Sequence, residues 1–358
     1  MSNQSKSQPL KSCVCNDHVK SKSTTPLFSE ISSLCNSHLL DTMHDDEEEI
    51  PSAAKKLLKK FNYNIVKFID KGSTSKVYKV SRNDQLYAAK IVDYNKLSDL
   101  IRKRFLPNEM KLVTSLNHPN IIRTEEVLTD DECSIIISEF GTDGDLMSYI
   151  ERQTASVDIK RAKQWAVQII QGLVYLHSKG IAHLDVKADN VLLCQGVAKL
   201  SDFTYAQISL DPKTNNVIPC TTFCGTLEYK APETLHRAAP FNPFIADCFS
   251  LGVLIFTLVT MEFPFGSGSD LRTTAGLQRL YEDIQNKQWQ PNHLIKADRK
   301  LYSLLKQLLN PDIDERITVE QALMHPWFDS VIGKKNNDID KDNQKVNSIT
   351  SLNQIFKK

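Results

Sequence analysis

The run His183-Leu184-Asp185-Val186-Lys187-Ala188-Asp189-Asn190-Val191-Leu192-Leu193 constrains this chain more than any other stretch. Three polar functions, Asp185, Lys187 and Asn190, crowd into one short loop between apolar segments. A solvated surface turn would also hold such residues, but it would not usually set them against an apolar strand. Together they suit phosphoryl transfer: a carboxylate to orient a hydroxyl and accept its proton, a Lys to neutralise the moving group, an amide oxygen to bind a cation. A second carboxylate, Asp202, follows one apolar strand later, in Lys199-Leu200-Ser201-Asp202-Phe203. Two oxygen ligands, Asn190 and Asp202, fit Mg²⁺, which keeps waters and shares phosphate oxygens.

Upstream, residues 62 to about 140 alternate like strands at Ile65–Ile69, Lys76–Val80, Leu86–Val92 and Ser134–Ser138, with one helical stretch near Leu97–Leu116. From about residue 145 the period is helical, as in Ala162, Trp165, Ala166, Ile169, Ile170, Leu173, Val174 and Leu176. A small sheet-rich lobe before a larger helical lobe suits a ligand cleft between them. Lys90 near the end of one strand could be an edge-strand charge, and Glu109 a solvated helix residue. As a pair they suggest a carboxylate orienting an ammonium toward phosphate oxygens.

In order and spacing these pieces resemble the eukaryotic protein kinase family, over about Tyr63 to Phe328. Asp70-Lys71-Gly72-Ser73-Thr74-Ser75-Lys76-Val77 corresponds to its glycine-rich loop, Ala88-Ala89-Lys90 to its Lys-bearing strand, and His183–Asn190 to its catalytic loop. Asp202-Phe203-Thr204 resembles the Asp-Phe-Gly switch, and Ala231-Pro232-Glu233 is the family's Ala-Pro-Glu motif unchanged. Asp247 and Ser250-Leu251-Gly252 resemble the start of the central buried helix. Arg316 resembles the Arg that pairs with the motif's glutamate, here Glu233.

The resemblance implies an α+β, bilobal fold with a β-rich N-lobe (63–140) carrying one key helix, and an α-helical C-lobe (141–328). It implies ATP and Mg²⁺ as cofactors and protein substrates as partners. Lys90 would contact the α- and β-phosphates, held by Glu109. Asp185 would be the base or the group that orients the acceptor hydroxyl, Lys187 would stabilise the phosphoryl group, and Asn190 and Asp202 would hold Mg²⁺. Gly72 would let the loop approach the phosphates. Val77, Ala88 and Leu192 would line the adenine pocket, Glu139-Phe140-Gly141 would be the hinge, and Asp145 would reach the ribose. Ser138, small at the gate behind adenine, implies tolerance of bulky ligands. Lys187 two residues after Asp185, and Thr226 in Thr222-Phe223-Cys224-Gly225-Thr226 placed to meet both, imply Ser/Thr specificity.

The chain departs from the family pattern in four places. The glycine loop keeps only Gly72, and Phe249 replaces a Trp. Leu184 replaces the Arg that reads a phosphate on the activation loop, and Gln207 replaces a supporting Lys. Activity that depends little on phosphorylation of Thr222 is therefore expected. Thr204 replaces the switch glycine, and a β-branched residue restricts backbone excursions. A pseudokinase scaffold is the alternative; a lipid or small-molecule kinase fits poorly with the intact Ala-Pro-Glu and Thr226 regions.

Of the 358 residues, 44 are Lys or Arg and 43 Asp or Glu, so no global field argues for nucleic acid or an anionic membrane. The eight cysteines lack framework spacing and read as reduced thiols. Without a signal-peptide pattern, and with Ser2 where myristoylation needs Gly, the expectation is a cytoplasmic or nuclear monomer. The apolar run Cys248–Met261 is too short to span a bilayer and reads as a core helix. Residues 1–60 read as a disordered tail with an acidic block, Asp45–Glu49, that could bind a regulatory partner, and 329–358 as a polar tail. Gln207–Thr221 reads as a mobile activation loop.

Overall fold

The computed structural model describes residues 50–332, apart from 73, 155, 236–238, 267 and 290. The expected tails at 1–49 and 333–358, including the acidic block, lie outside the described residues. The fold is the expected bilobal α+β arrangement. Its small lobe holds helix α1 (Ser52–Lys60), then β1 (Asn64–Lys71), β2 (Lys76–Arg82), β3 (Gln85–Asp93), α2 (Leu106–Val113), β4 (Thr124–Thr129) and β5 (Cys133–Glu139). The five strands form one antiparallel sheet in the order β1-β2-β3-β5-β4. The segments that alternate in sequence all fall inside β1, β2, β3 and β5. β4 reads Thr-Glu-Glu-Val-Leu-Thr and has too few apolar residues to announce itself.

The period of two divides this sheet into two faces. Tyr78, Val80, Tyr87, Ala89, Ile91, Ile135 and Ile137 pack with Ile50, Ala54, Leu57 and Leu58 of the α1 segment in a closed apolar layer. Ala88 and Lys90 fall on the opposite face of β3. The expectation of a disordered tail up to residue 60 is therefore wrong at its end. Leu57 and Leu58 recur on one side of a Lys-rich helix, and burying each contributes about 1.5–3 kcal/mol toward holding the nine-residue helix on the sheet. The polar tail expected from residue 329 likewise begins as a helical turn, Asp329–Ile332.

The large lobe contains α3 (Leu146–Glu151), α4 (Ile159–Ser178), β6 (Ile181–Ala182), the hairpin β7 (Val191–Cys194) and β8 (Val197–Leu200), β9 (Gln207–Ile208) and α5 (Pro243–Thr260). Later helices α6 (Thr274–Gln285), α7 (His293–Ala297), α8 (Arg299–Leu308) and α9 (Val319–Leu323) pack around α5 and α4. Helix α5 is long and apolar enough to cross a membrane, but 83% of it is buried inside the protein, as a helix apolar on every side must be. Asn242 caps it by accepting from the Phe244 N–H, and Pro243 occupies its first position. Arg316 makes a bidentate pair with Glu233 at 2.6 and 3.0 Å, and its guanidinium lies over Phe249. The motif glutamate and the Trp-replacing Phe thus share one cation.

Gln207–Thr221, expected as a mobile loop, is paired along its length. Gln207 and Ile208 form β9 against β6, Leu210 bridges Val217, and Cys220 bridges Phe241. The Asp211 carboxylate closes the turn by accepting from the N–H groups of Lys213 and Thr214.

Candidate active site

The catalytic loop is held from below by a carboxylate that the sequence marks only as the start of a helix. Asp247 of α5 is buried, and its two oxygens accept the backbone N–H groups of His183 and Leu184, both at 2.8 Å. His177 Nε2 lies 3.0 Å from the same carboxylate. His183 accepts the Asp185 N–H at Nδ1, so Nε2, 3.1 Å from the Ser201 carbonyl, carries the proton. Leu184 adopts a positive φ of 62°, and these two bonds hold it there.

Asp185 stands on this base with both oxygens engaged. Oδ1 accepts from the Thr226 N–H at 2.9 Å and the Thr226 hydroxyl at 2.8 Å. Oδ2 accepts from the Asn190 amide at 2.9 Å and lies 3.3 Å from Lys187 Nζ. Lys187 in turn donates to Thr226 Oγ1 at 2.8 Å. The expected meeting of Thr226 with Lys187 and Asp185 is thus present. It depends on Gly225, whose φ is +86° and where a Cβ would sit 2.4 Å from the Leu184 carbonyl oxygen.

A second polar cluster gathers around Lys90. Its three donors go to Glu109 Oε1 at 2.7 Å, Asp202 Oδ1 at 2.8 Å and Thr204 Oγ1 at 2.7 Å. Burial alone would push this ammonium down; the charges of Asp202 and Glu109 outweigh it and hold the pKa above the usual lysine range. Burial would likewise raise Asp202, but the Lys90 charge and the bonds from Lys90 and Thr204 keep it well below the usual carboxylate range. Glu109, almost fully enclosed, is pushed up by burial even beside Lys90.

Asn190 and Asp202 flank the root of the β7–β8 hairpin, where Ser201, next to Asp202, donates from its N–H and its hydroxyl to the Asn190 carbonyl. Asn190 uses its amide nitrogen on Asp185, leaving Oδ1 as a hard oxygen, and Asp202 keeps Oδ2 beyond the Lys90 contact. Among the described residues no group of three or more His, Cys, Asp or Glu side chains could hold a metal by itself. A two-oxygen set of this kind fits an ion that completes its shell with water and phosphate, as Mg²⁺ does.

The residues expected around adenine, Val77, Ala88 and Leu192, are half-buried, Ala88 and Leu192 each between two buried neighbours. Ala88 pairs with Ser138, and a Cβ on Gly141 would lie 3.3 Å from Leu192 Cβ, so the 139–141 backbone runs against Leu192. The Glu139 carboxylate is bound to Lys199 and to the Arg123 N–H. Any hinge role of Glu139 therefore belongs to its backbone. Asp145 bridges Leu192 and caps α3 through the Ser148 N–H and hydroxyl, each at 2.7 Å. Gly72 donates its N–H to Ser75 O, and a Cβ there would make only an ordinary contact with Ser75, so nothing within the protein requires glycine.

Sequence reasoning named Asp247, Gly225 and Thr204 but missed what each does: Asp247 holds the catalytic loop, Gly225 admits the Leu184 carbonyl, and the Thr204 hydroxyl meets Lys90 and Asp202. An acidic residue inside an otherwise apolar helix was the available signal for Asp247.

A family model described as protein kinase domain matches residues 63–328. Testis-specific serine/threonine-protein kinase 4 of Homo sapiens is 30% identical over 294 residues, covering 77% of this chain and 85% of that protein. Testis-specific serine/threonine-protein kinase 3 of Homo sapiens is 31% identical over 279 residues, covering 75% and 96%. SNF-related serine/threonine-protein kinase of Homo sapiens is 30% identical over 274 residues, covering 75% of this chain and 34% of that protein. Spanning the whole two-lobed unit, these matches place the chain in the eukaryotic protein kinase family, on its serine/threonine branch.

Proposed function

We propose that this kinase is catalytically active and transfers the γ-phosphoryl group of ATP, with Mg²⁺, to Ser or Thr hydroxyls of protein substrates. The observation that carries this reading is the Asp185 carboxylate, fixed by Thr226 and Asn190 with Lys187 beside it. A scaffold would have no need of that arrangement. Asp185 orients the acceptor hydroxyl and takes its proton; Lys187 balances charge on the group in transit. Lys90, aligned by Glu109, binds phosphate oxygens after exchanging one of its present partners. Asn190 and Asp202 would hold Mg²⁺, which supplies charge neutralisation along the phosphates. Val77, Ala88, Leu192 and the backbone of Glu139–Gly141 would enclose adenine, with the Asp145 carboxylate at the ribose. Gly72 would serve the phosphates, since its own surroundings do not demand a glycine. Free thiols at Cys133, Cys194, Cys220, Cys224 and Cys248 suit a reducing compartment, cytoplasm or nucleus.

The test is Mg²⁺-dependent phosphate incorporation from labelled ATP into a Ser/Thr peptide library, wild type beside Asp185→Asn. The variant should lose about 10²–10⁴-fold in kcat, the size of a general-base contribution. Equal rates for the two would favour the pseudokinase scaffold.

A further inference from the structure

We propose that Thr204 is a positioning residue whose hydroxyl ties the Asp202 switch to helix α2, serving in place of a phosphate-operated latch. The proposal rests on the kinase reading above. A glycine at this position could make none of the side-chain contacts that follow.

The Thr204 hydroxyl lies 2.7 Å from Asp202 Oδ1, 3.2 Å from Glu109 Oε2 and 2.7 Å from Lys90 Nζ. It accepts from the ammonium and gives its one proton to a carboxylate. Its backbone N–H also reaches Asp202 Oδ1, at 3.2 Å. One side chain thus touches the switch carboxylate, the helix glutamate and the phosphate-binding lysine together.

The contact belongs to a longer seam. The Tyr205 ring packs edge-on to Phe105 at 5.5 Å, and the Ala206 carbonyl accepts from the Asn108 amide at 2.6 Å. Phe105, Asn108 and Glu109 are spaced i, i+3, i+4 and share one helix face. A π-helical turn, Ile101–Phe105, leads into that face, a distortion that often marks functional positions. Residues 204–206 therefore lie along α2 as a strip of three consecutive contacts, and only the first depends on the residue that replaces glycine.

The usual alternative to such a seam has been removed here. Leu184, half-buried, packs against the large-lobe core at the position where an Arg could have received a phosphate. The Thr222 hydroxyl is buried with no hydrogen-bond partner, and its segment is already paired through Cys220–Phe241. The bridge Cys220–Phe241 and the contacts of residues 204–206 order this segment through the protein's own atoms, and Thr204 is the element that closes it around the catalytic lysine.

The experiment compares wild type with Thr204→Val, Thr204→Ser and Thr204→Gly in the full chain. Two quantities are read: steady-state kinetics on one peptide, and amide hydrogen exchange of residues 106–113 without nucleotide. Thr204→Val keeps the branched shape and loses the hydroxyl. It should lower kcat about tenfold or more, the effect of one hydrogen bond to a charged group, with peptide KM unchanged. Exchange in α2 should accelerate. Thr204→Ser should match wild type in both, and Thr204→Gly should behave like Thr204→Val or worse. Phosphatase-treated wild type and Thr222→Ala should keep wild-type kcat. Wild-type behaviour of Thr204→Val in both measurements, or a Thr204→Ser as defective as Thr204→Val, overturns the proposal, as does loss of activity on phosphatase treatment. If wild type itself shows no phosphoryl transfer while the exchange pattern holds, the catalytic reading fails and the tie to α2 stands. Should Thr204→Val not fold, the Ser–Gly pair carries the same comparison.

Discussion

The cluster around Asp185 and the cluster around Lys90 are assembled in opposite ways. Asp185 and Asn190 are five positions apart, and the loop between them is pinned by the buried Asp247 and by Gly225-Thr226. Lys90 and Thr204 are 114 positions apart, and their cluster exists only while the sheet, helix α2 and the switch segment stay docked. The first is a rigid local device; the second is a junction among elements able to separate. The first resists motion because Asp185, Lys187 and Asn190 share one short stretch of backbone, which Asp247 and Thr226 clamp from outside. A junction is where regulation can act, since a small loss of docking energy disperses all of its members at once.

Substitutions in the junction can break this contrast. Lys90→Met removes the common partner of Glu109 and Asp202. A loss of about 10²–10³-fold in kcat is expected, as for other groups that stabilise transition-state charge. Stability should fall as well, by about 1–3 kcal/mol, because the buried Glu109 carboxylate loses its ammonium donor. Glu109, already pushed up by burial, should take up a proton. Calorimetry beside the kinetics checks both parts; a Lys90→Met protein as stable as wild type would show that the junction is not held by its own charges.

Next in size comes the apolar layer behind the sheet. Leu58 is fully buried between α1 and the strands. Leu58→Ala should cost about 2–5 kcal/mol, measured by denaturant unfolding, with the loop around Asp185 unaffected in a two-dimensional NMR spectrum. A stability unchanged by this substitution would mean α1 is not part of the small lobe.

The smallest effect concerns ligand choice. Ser138 pairs with Ala88 across β3 and β5. Ser138→Met should leave ATP turnover near wild type and reject ATP-site ligands with bulky substituents that the wild type accepts, as read by competition binding. Equal exclusion by the two proteins would count against an open gate at Ser138.

The locally built cluster was legible in the sequence almost in full. Asp185, Lys187 and Asn190 lie in one run, and Thr226 met them as its motif implies. The junction was legible in part: Lys90, Glu109 and Asp202 were identifiable as types at suitable spacings. That Thr204 bridges all three was not, because its hydroxyl finds partners brought in from two other elements. The activation segment looked mobile because it is polar, yet backbone pairing needs no apolar side chains, and bridges such as Leu210–Val217 leave little trace in composition. Helix α1 was misassigned for the converse reason. A Lys-rich stretch beside a polar tail resembles that tail until Leu57 and Leu58 meet a waiting sheet face.

By itself, then, the sequence determined the two lobes, the family and the chemical types at the site, since periodicity and motif order are written along the chain. Only the tertiary structure decided that Asp247 carries the catalytic loop, that Gly225 must be glycine, and that a threonine in the switch serves as a tie. Each of these depends on distances between residues remote in sequence: the 2.8 Å bonds to His183 and Leu184, the 2.4 Å approach to a carbonyl oxygen, and the three contacts of one hydroxyl.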